Sequence, residues 1–194
     1  MTFRQLLNAA KTNNFLNLIH KPNGVCRIRE IEEMRRYFHN PLHHPEGHTV
    51  YEHTIAAVRT YKGTNPVTRL AVLFHDLGKI AVANRSASGP WHNFYGHDKE
   101  GSDVFTRMVR RYDIPESVAM PIDFCIRNHM RFHKITEMDP KKVYELVSSP
   151  YWSYLVSVGY CDEFCRGDVF ESNKTFHESC RIAEQLRYMK GARI

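Results

Sequence analysis

No stretch of this 194-residue chain approaches the roughly 18 consecutive apolar residues that a membrane-spanning helix needs. The opening segment Met1-Thr2-Phe3-Arg4-Gln5-Leu6-Leu7 lacks the long apolar core of a secretory signal. Cysteine is sparse and odd in number, five in all (Cys26, Cys125, Cys161, Cys165, Cys180), which argues against a disulfide framework and for a reducing compartment. There is no internal repeat, no low-complexity segment, no long Lys/Arg block and almost no strand-type alternation. These absences argue against membrane proteins, disulfide-stapled secreted modules, solenoids and sandwiches. The expectation is a soluble cytoplasmic protein with no membrane partner.

What is present is helical. Turn signals fall at Lys21-Pro22-Asn23-Gly24, Asn40-Pro41, Gly63-Thr64-Asn65-Pro66, Ser86 to Pro90, Asp139-Pro140 and Ser149-Pro150. Between them apolar residues recur at helical spacing: Val50, Ala57, Val58 and Tyr61; Val104, Phe105, Met108, Val109 and Tyr112; Ile122, Cys125 and Ile126; Leu155, Val158 and Gly159. Asp139-Pro140 reads as an N-cap with proline at the first helical position. Val25 to Ile28 reads as a short extended piece. The expected fold class is all-α in a single domain, with residues 1–40 as an N-terminal helical extension, 41–170 as the main unit and 171–194 as a C-terminal helix packing on it. A hydrophobic content of 42% suffices for one core. No heptad run specifies a dimer, so the oligomeric state is not read.

The net charge of +6 favours an anionic substrate such as a phosphate ester or nucleic acid. The clusters Arg107, Arg110, Arg111 and Arg127, Arg131, Lys134 have the spacing of solvated helix faces.

The chemically odd residues are histidines and aspartates on apolar stripes. In Leu73-Phe74-His75-Asp76-Leu77-Gly78-Lys79 a His-Asp doublet sits within a stretch, Leu70 to Ile80, that reads as a buried helix. Burying an imidazole and a carboxylate costs several kcal/mol unless a metal or strong hydrogen bonds compensate. His53, His129 and Asp162 lie on or beside other apolar faces. His53, His75, Asp76 and Asp162 together point to one buried metal centre. His and carboxylate ligands suit Mn, Fe, Ni or Zn and tolerate Mg less well.

These residues resemble the signature of the HD superfamily of metal-dependent phosphohydrolases: a His, a His-Asp doublet, a distal Asp. The ordered segments His44-Pro45-Glu46-Gly47, Tyr51-Glu52-His53-Thr54, Leu73 to Lys79, Trp91-His92-Asn93-Phe94-Tyr95-Gly96-His97, Gly101 and Pro140-Lys141-Lys142 resemble more closely the HD domain of some bacterial tRNA CCA-adding enzymes, over roughly residues 40 to 170. The resemblance implies an HD-type helical fold and a divalent ion held by His53, His75, Asp76 and Asp162. It also implies a second ion held by His97 and His129 and bridged by Asp76. Two departures stand out. No Gly-Ser followed by an Asp-x-Asp pair is present, so nucleotide addition is not expected. Arg166-Gly167 also lies farther from Asp162 than the pattern expects, which leaves Asp168 as a rival last ligand.

Around this centre, Lys79 is a candidate catalytic residue beside Asp76, positioned to offset charge on a phosphoryl group. His44, Arg131 and His133 are candidate substrate contacts. Glu52 or Asp98 are candidates for an outer-sphere base or an orienter of a ligand histidine. Trp91, Phe94 and Tyr95 are candidates for stacking on a base. Cys161 and Cys165, one helical turn apart, are weaker metal candidates. The expected activity is hydrolysis of nucleotide or RNA-end phosphate esters, as a phosphomonoesterase or 2′,3′-cyclic phosphodiesterase. The substrate is a small phosphorylated compound, a nucleotide, or an RNA or tRNA end. The alternatives are a 5′-deoxynucleotidase or dNTP triphosphohydrolase, and a non-catalytic RNA- or tRNA-binding module with a relict metal site.

Overall fold

A computed structural model of the chain describes residues 1–167 and 170–191, with side chains in the last stretch placed at 174, 176 and onward to 186. The rival ligand Asp168 lies outside the described residues. Among the described residues the fold is all-α apart from one hairpin of two-residue strands, and eleven α-helices follow one another. They are α1 (Phe3–Ala10), α2 (Phe15–Ile19), α3 (Arg29–Glu33), α4 (Val50–Thr60), α5 (Pro66–Phe74), α6 (Lys79–Val82), α7 (His97–Tyr112), α8 (Glu116–His133), α9 (Pro140–Val147), α10 (Trp152–Phe164) and α11 (Phe170–Gly191). No described helix is long and apolar enough to cross a membrane.

Capping chemistry sets the helix starts. Thr49 and Glu52 form a reciprocal capping box at α4. Asn65 accepts from the amides of Val67 and Thr68 at α5, with Pro66 in the first turn. Asp139 caps α9 ahead of Pro140, as its sequence signal predicts.

Helix α5 is the central element. Every residue from Thr68 to Phe74 is buried, and the helix packs against α1, α4, α8 and α10. Phe74 meets Phe105 of α7 at 5.8 Å between ring centroids. The first helices add to the same core through Phe3, Leu6, Ala10, Phe15 and Ile19. At the other end, Phe176 of α11 packs 5.7 Å from the Phe132 ring of α8.

The doublet does not lie inside a continuous helix. Helix α5 ends at Phe74, and the chain turns through 75–78 with bonds of the 3₁₀ type, Leu77 N to Phe74 O at 3.1 Å and Lys79 N to Asp76 O at 3.0 Å, before α6. The turn exists because α7 crosses here at backbone contact. A Cβ at Gly78 would stand 1.8 Å from the His97 carbonyl oxygen and 2.5 Å from the Gly101 nitrogen. Only hydrogen at Gly78 allows the approach that brings His97 to the doublet.

The segment Val25 to Ile28 contributes a single bridge, Cys26 to His20, rather than a strand. The hairpin, missed in the sequence, pairs Asn84 with Asn93 and Arg85 with His92 around the Ser86 to Pro90 turn signal. Two-residue strands carry too little alternation to read.

Candidate metal centre

Five elements bring the site together: α4 supplies His53, the α5–α6 turn His75 and Asp76, α7 His97, α8 His129, and α10 Asp162. All six are buried. They converge on the carboxylate of Asp76, and its two oxygens face different partners. Oδ2 lies 3.5 Å from His53 Nε2 and 3.3 Å from His75 Nε2. Oδ1 lies 3.3 Å from His97 Nε2 and 3.6 Å from His129 Nε2.

The histidines are fixed from behind. His75, His97 and His129 each donate Nδ1–H to the backbone carbonyl three residues earlier (Val72, Phe94 and Ile126), in every case at 2.8 Å. His53 donates instead to Glu46 Oε1 at 2.5 Å. With each Nδ1 proton committed, each imidazole in its neutral form presents its Nε2 lone pair to the centre.

That arrangement is unfavourable without a cation. His53 Nε2, His75 Nε2 and Asp76 Oδ2 are buried with no hydrogen-bond partner. His97 Nε2 and His129 Nε2 face each other at 2.9 Å. Two ligands at ~2.1 Å from an ion and ~90–110° apart would themselves be ~3.0–3.4 Å apart, close to the spacings seen here. Among the described residues three groups of three ligand atoms are compact enough to hold an ion: His53–His75–Asp76 and Asp76–His97–His129, which share Asp76, and His44–Glu46–His53 beside them. The nitrogen and oxygen donors fit a divalent transition metal.

Asp162 is the looser member. Its Oδ1 is 3.2 Å from His53 Nε2, but Arg166 Nη2 holds the same oxygen at 2.7 Å and His133 Nε2 holds Oδ2 at 2.8 Å. Burial opposes ionisation of Asp162, yet Arg166, His133 and His53 keep its carboxyl well below the usual range. The same contest at Asp76 is decided by Lys79, His75 and His97 against burial, and that carboxyl too stays ionised. Burial also opposes a charge on His53, but Asp162, Cys165 and Glu46 raise its pKa well above the ordinary value. His129 is pushed the other way, first by burial and then by His97. The half facing His53 therefore attracts positive charge, while the half facing His129 keeps its imidazole neutral.

A cavity of about 630 Å³ opens onto Asp76, His97, His129 and Asp162. Lys79 lines it, buried to 7% exposure, with Nζ 2.7 Å from Asp76 Oδ2 but out of line for a hydrogen bond. His44 lines it too, donating Nδ1–H to Glu46 at 2.9 Å. Trp91, Phe94 and Tyr95 form part of the wall. A larger hollow of about 890 Å³ borders the same loop through Glu46, Gly47 and His48, but contains none of the converging ligands.

Several expected contacts are placed differently. Arg131 does not line the cavity; it donates to Asn128 Oδ1 at 2.9 Å and to the Lys142 carbonyl at 3.5 Å, because its position on α8 turns it towards α9. His133 lines the cavity, but both ring nitrogens are taken, Nε2 by Asp162 and Nδ1 by Glu163 at 3.0 Å. Burial opposes its charge, and those two carboxylates carry its pKa up to about 9. It is a clamp on Asp162, not a free phosphate donor. Glu52 is consumed by the α4 cap, accepting from the amides of His48 and Thr49. Asp98 sits in the first turn of α7, outside the cavity lining. His92 lines the cavity, and its Nδ1 accepts from the Phe38 amide at 3.0 Å. Cys165 Sγ lies 3.6 Å from His53 Nδ1, whereas Cys161 is buried in the core.

Sequence reasoning missed three groups. Glu46 was visible only as a carboxylate in a quoted segment, and its burial between two histidines has no local signal. Arg166 lies four residues after Asp162, a spacing that pairs side chains on a helix. His39, buried against Lys79, sits on no apolar stripe.

No known family profile matches the chain. Among curated proteins it is 27% identical over 97 residues to a multifunctional CCA protein of Legionella pneumophila (strain Paris), covering 49% of this chain and 23% of that protein. It is 24% identical over 148 residues to a multifunctional CCA protein of Xanthomonas oryzae pv. oryzae, covering 74% of this chain and 35% of that protein. It is 26% identical over 107 residues to an A-adding tRNA nucleotidyltransferase of Deinococcus radiodurans, covering 53% and 24%. The chain thus spans between a fifth and about a third of the length of the relatives it matches. Over part of its length the chain is distantly similar to multifunctional CCA proteins and to an A-adding tRNA nucleotidyltransferase.

Proposed function

We propose that this chain is an HD-type metal-dependent phosphohydrolase acting on nucleotide or RNA-end phosphate esters, as a phosphomonoesterase or 2′,3′-cyclic phosphodiesterase. The observation that carries the reading is Asp76: one buried carboxylate, two oxygens, each facing a separate pair of histidine Nε2 atoms. Such a carboxylate suits two divalent ions, Mn, Fe, Ni, Zn or Mg, with Asp162 completing the His53 side. Bound there, the metal would supply an acidified water and polarise a phosphoryl oxygen.

The chain's own residues do the rest. Glu46 and the three backbone carbonyls hold the imidazoles in the metal-binding tautomer. Lys79 places an ammonium at the cavity wall, where phosphoryl charge needs an opposing one. His44 borders the same space, as do the aromatic side chains, which offer a surface for a base. A module that only bound RNA would have no use for buried unpaired ligands that cost stability when empty. The relatives' names support RNA ends as the substrate source. We place the hydrolytic unit in residues 41–170 and the protein in a reducing, cytoplasmic setting, consistent with five unbridged cysteines.

The test is turnover by metal-stripped protein on a panel of 2′,3′-cyclic nucleotides, nucleoside monophosphates and dNTPs, with Mn, Ni, Mg and Zn added singly. Metal-dependent release of phosphate or opening of the cyclic ester, abolished by Asp76→Ala, is expected. Tripolyphosphate release would select the triphosphohydrolase reading. Stoichiometric metal binding with no turnover on any substrate would overturn hydrolysis.

A further inference from the structure

Lys79 is held from two sides, and only one of them belongs to the ligand set. Its Nζ lies 2.7 Å from Asp76 Oδ2 and 3.1 Å from His39 Nε2. An ammonium donates and cannot accept, so His39 Nε2 must be the acceptor and the His39 proton sits on Nδ1. That Nδ1 is buried without a partner. An unpaired buried donor is costly, and a core filler of similar size would avoid the cost. His39 nonetheless occupies the position at 4% exposure, stacked on His44 at 3.8 Å between ring centroids and edge-on to Phe94 at 5.5 Å. Its backbone is pinned by donation to the His48 carbonyl at 2.9 Å. Phe94 also lies under the ammonium, 5.4 Å from Nζ. His39 and Lys79 both line the cavity that opens onto Asp76.

We propose that His39 is a positioning residue for Lys79: by accepting one N–H of the ammonium while Asp76 attracts a second, it leaves the third free for a phosphoryl oxygen in the cavity. The inference rests on the hydrolase reading for the identity of that anion, but it makes a claim about binding that can be tested without turnover. Without His39 the lysine keeps its charge and its pairing with Asp76. What it loses is direction, because a four-carbon stem with three rotatable donors is poorly oriented by one partner.

The probe is inorganic phosphate titrated calorimetrically into Mn-loaded protein, with metal content measured for each variant. His39→Phe keeps bulk but removes the acceptor; His39→Gln restores an acceptor; Lys79→Met removes the donor. His39→Phe is expected to weaken phosphate binding about tenfold with metal stoichiometry intact, and His39→Gln to recover most of the loss. Lys79→Met should weaken it at least as much, and the His39→Phe/Lys79→Met double variant no further, the non-additivity expected of one coupled pair. If a substrate is found, His39→Phe should raise KM more than it lowers kcat. Unchanged affinity in His39→Phe, additive losses, a His39→Gln variant as weak as His39→Phe, or no phosphate binding by the wild type would each overturn the proposal. Phosphate binding with this coupling but no hydrolysis of any ester would overturn the hydrolase reading and leave the His39–Lys79 pair standing.

Discussion

Glu46 holds His53 from behind with a side-chain carboxylate, where His75, His97 and His129 are each held by a backbone carbonyl. The carboxylate Oε1 accepts from His53 Nδ1 at 2.5 Å and, on its other side, from His44 Nδ1 at 2.9 Å. One buried oxygen thus ties an inner ligand to a residue of the cavity wall. Burial opposes ionisation of Glu46, but those two bonds hold its pKa down at about 2. The carboxylate is charged throughout the physiological range.

Replacing Glu46 by Ala frees the His53 ring to rotate and to change tautomer. We expect a roughly 10- to 100-fold loss of metal affinity, the range typical for removal of such a partner, with a smaller loss for Glu46→Gln. Metal titration monitored by calorimetry measures it. An Ala variant with wild-type affinity would show that His53 needs no support.

The shared carboxylate predicts unequal losses of metal. His97→Ala should leave one ion bound on the His53–His75 side, whereas Asp76→Ala should reduce occupancy to below one on both. Elemental analysis after gel filtration in Mn decides it. Equal stoichiometry in the two variants would mean that Asp76 does not bridge.

Gly78→Ala introduces a methyl that the His97 carbonyl and the Gly101 nitrogen already exclude. Overpacking of this kind costs about 1–3 kcal/mol, sometimes more. At ~2–4 °C per kcal/mol for a chain of this size, Tm should fall by about 2–12 °C. Because α7 must retreat, the ion bound by His97 should be lost before the other. An unchanged Tm would contradict the backbone contact.

Cys26, 4% exposed, has its thiol pKa pushed up to about 11, chiefly by burial. A raised pKa in the folded state means that the neutral thiol is favoured there. Its contribution to stability is full below the unfolded pKa near 9 and is lost as pH climbs towards 11. Between those values unfolding free energy should fall by up to about 1.4 kcal/mol per pH unit from this group alone. Urea melts from pH 8 to 10.5 should show a steeper decline in wild type than in Cys26→Ala. Parallel slopes would count against a protected thiol.

Arg131→Ala should change KM for any turned-over phosphate ester by less than about twofold, since its guanidinium serves Asn128 and the Lys142 carbonyl. A tenfold rise in KM would return it to the cavity.

The long helices and the Asp139 cap of α9 were readable because apolar spacing and capping residues are local. His53, His75, Asp76, His129 and Asp162 stood out in the sequence because polar groups on apolar stripes are anomalous wherever they occur, whereas His97 was suggested by the resemblance alone. What could not be read was direction. Nothing in the sequence indicates that Arg131 turns to α9, that Asp162 closes both His133 nitrogen and Arg166 guanidinium around itself, or that the doublet leaves its helix. Each depends on how α8, α10 and α7 cross, which is tertiary packing. Glu46 and His39 escaped for the same reason: they belong to connecting segments whose side chains acquire meaning only from what lies across the cavity.

Three of the four inward-facing histidines take their orientation from the carbonyl three residues behind them. Each is a self-contained unit, ring and brace supplied by one short segment of backbone, and so portable: moved to another helix end with the same local conformation, it would keep its aim. His53 is not portable, since its brace arrives from a separate loop. A designer grafting this centre onto another helical scaffold could therefore transplant three of its histidines as four-residue fragments, but the fourth only together with the loop that carries Glu46.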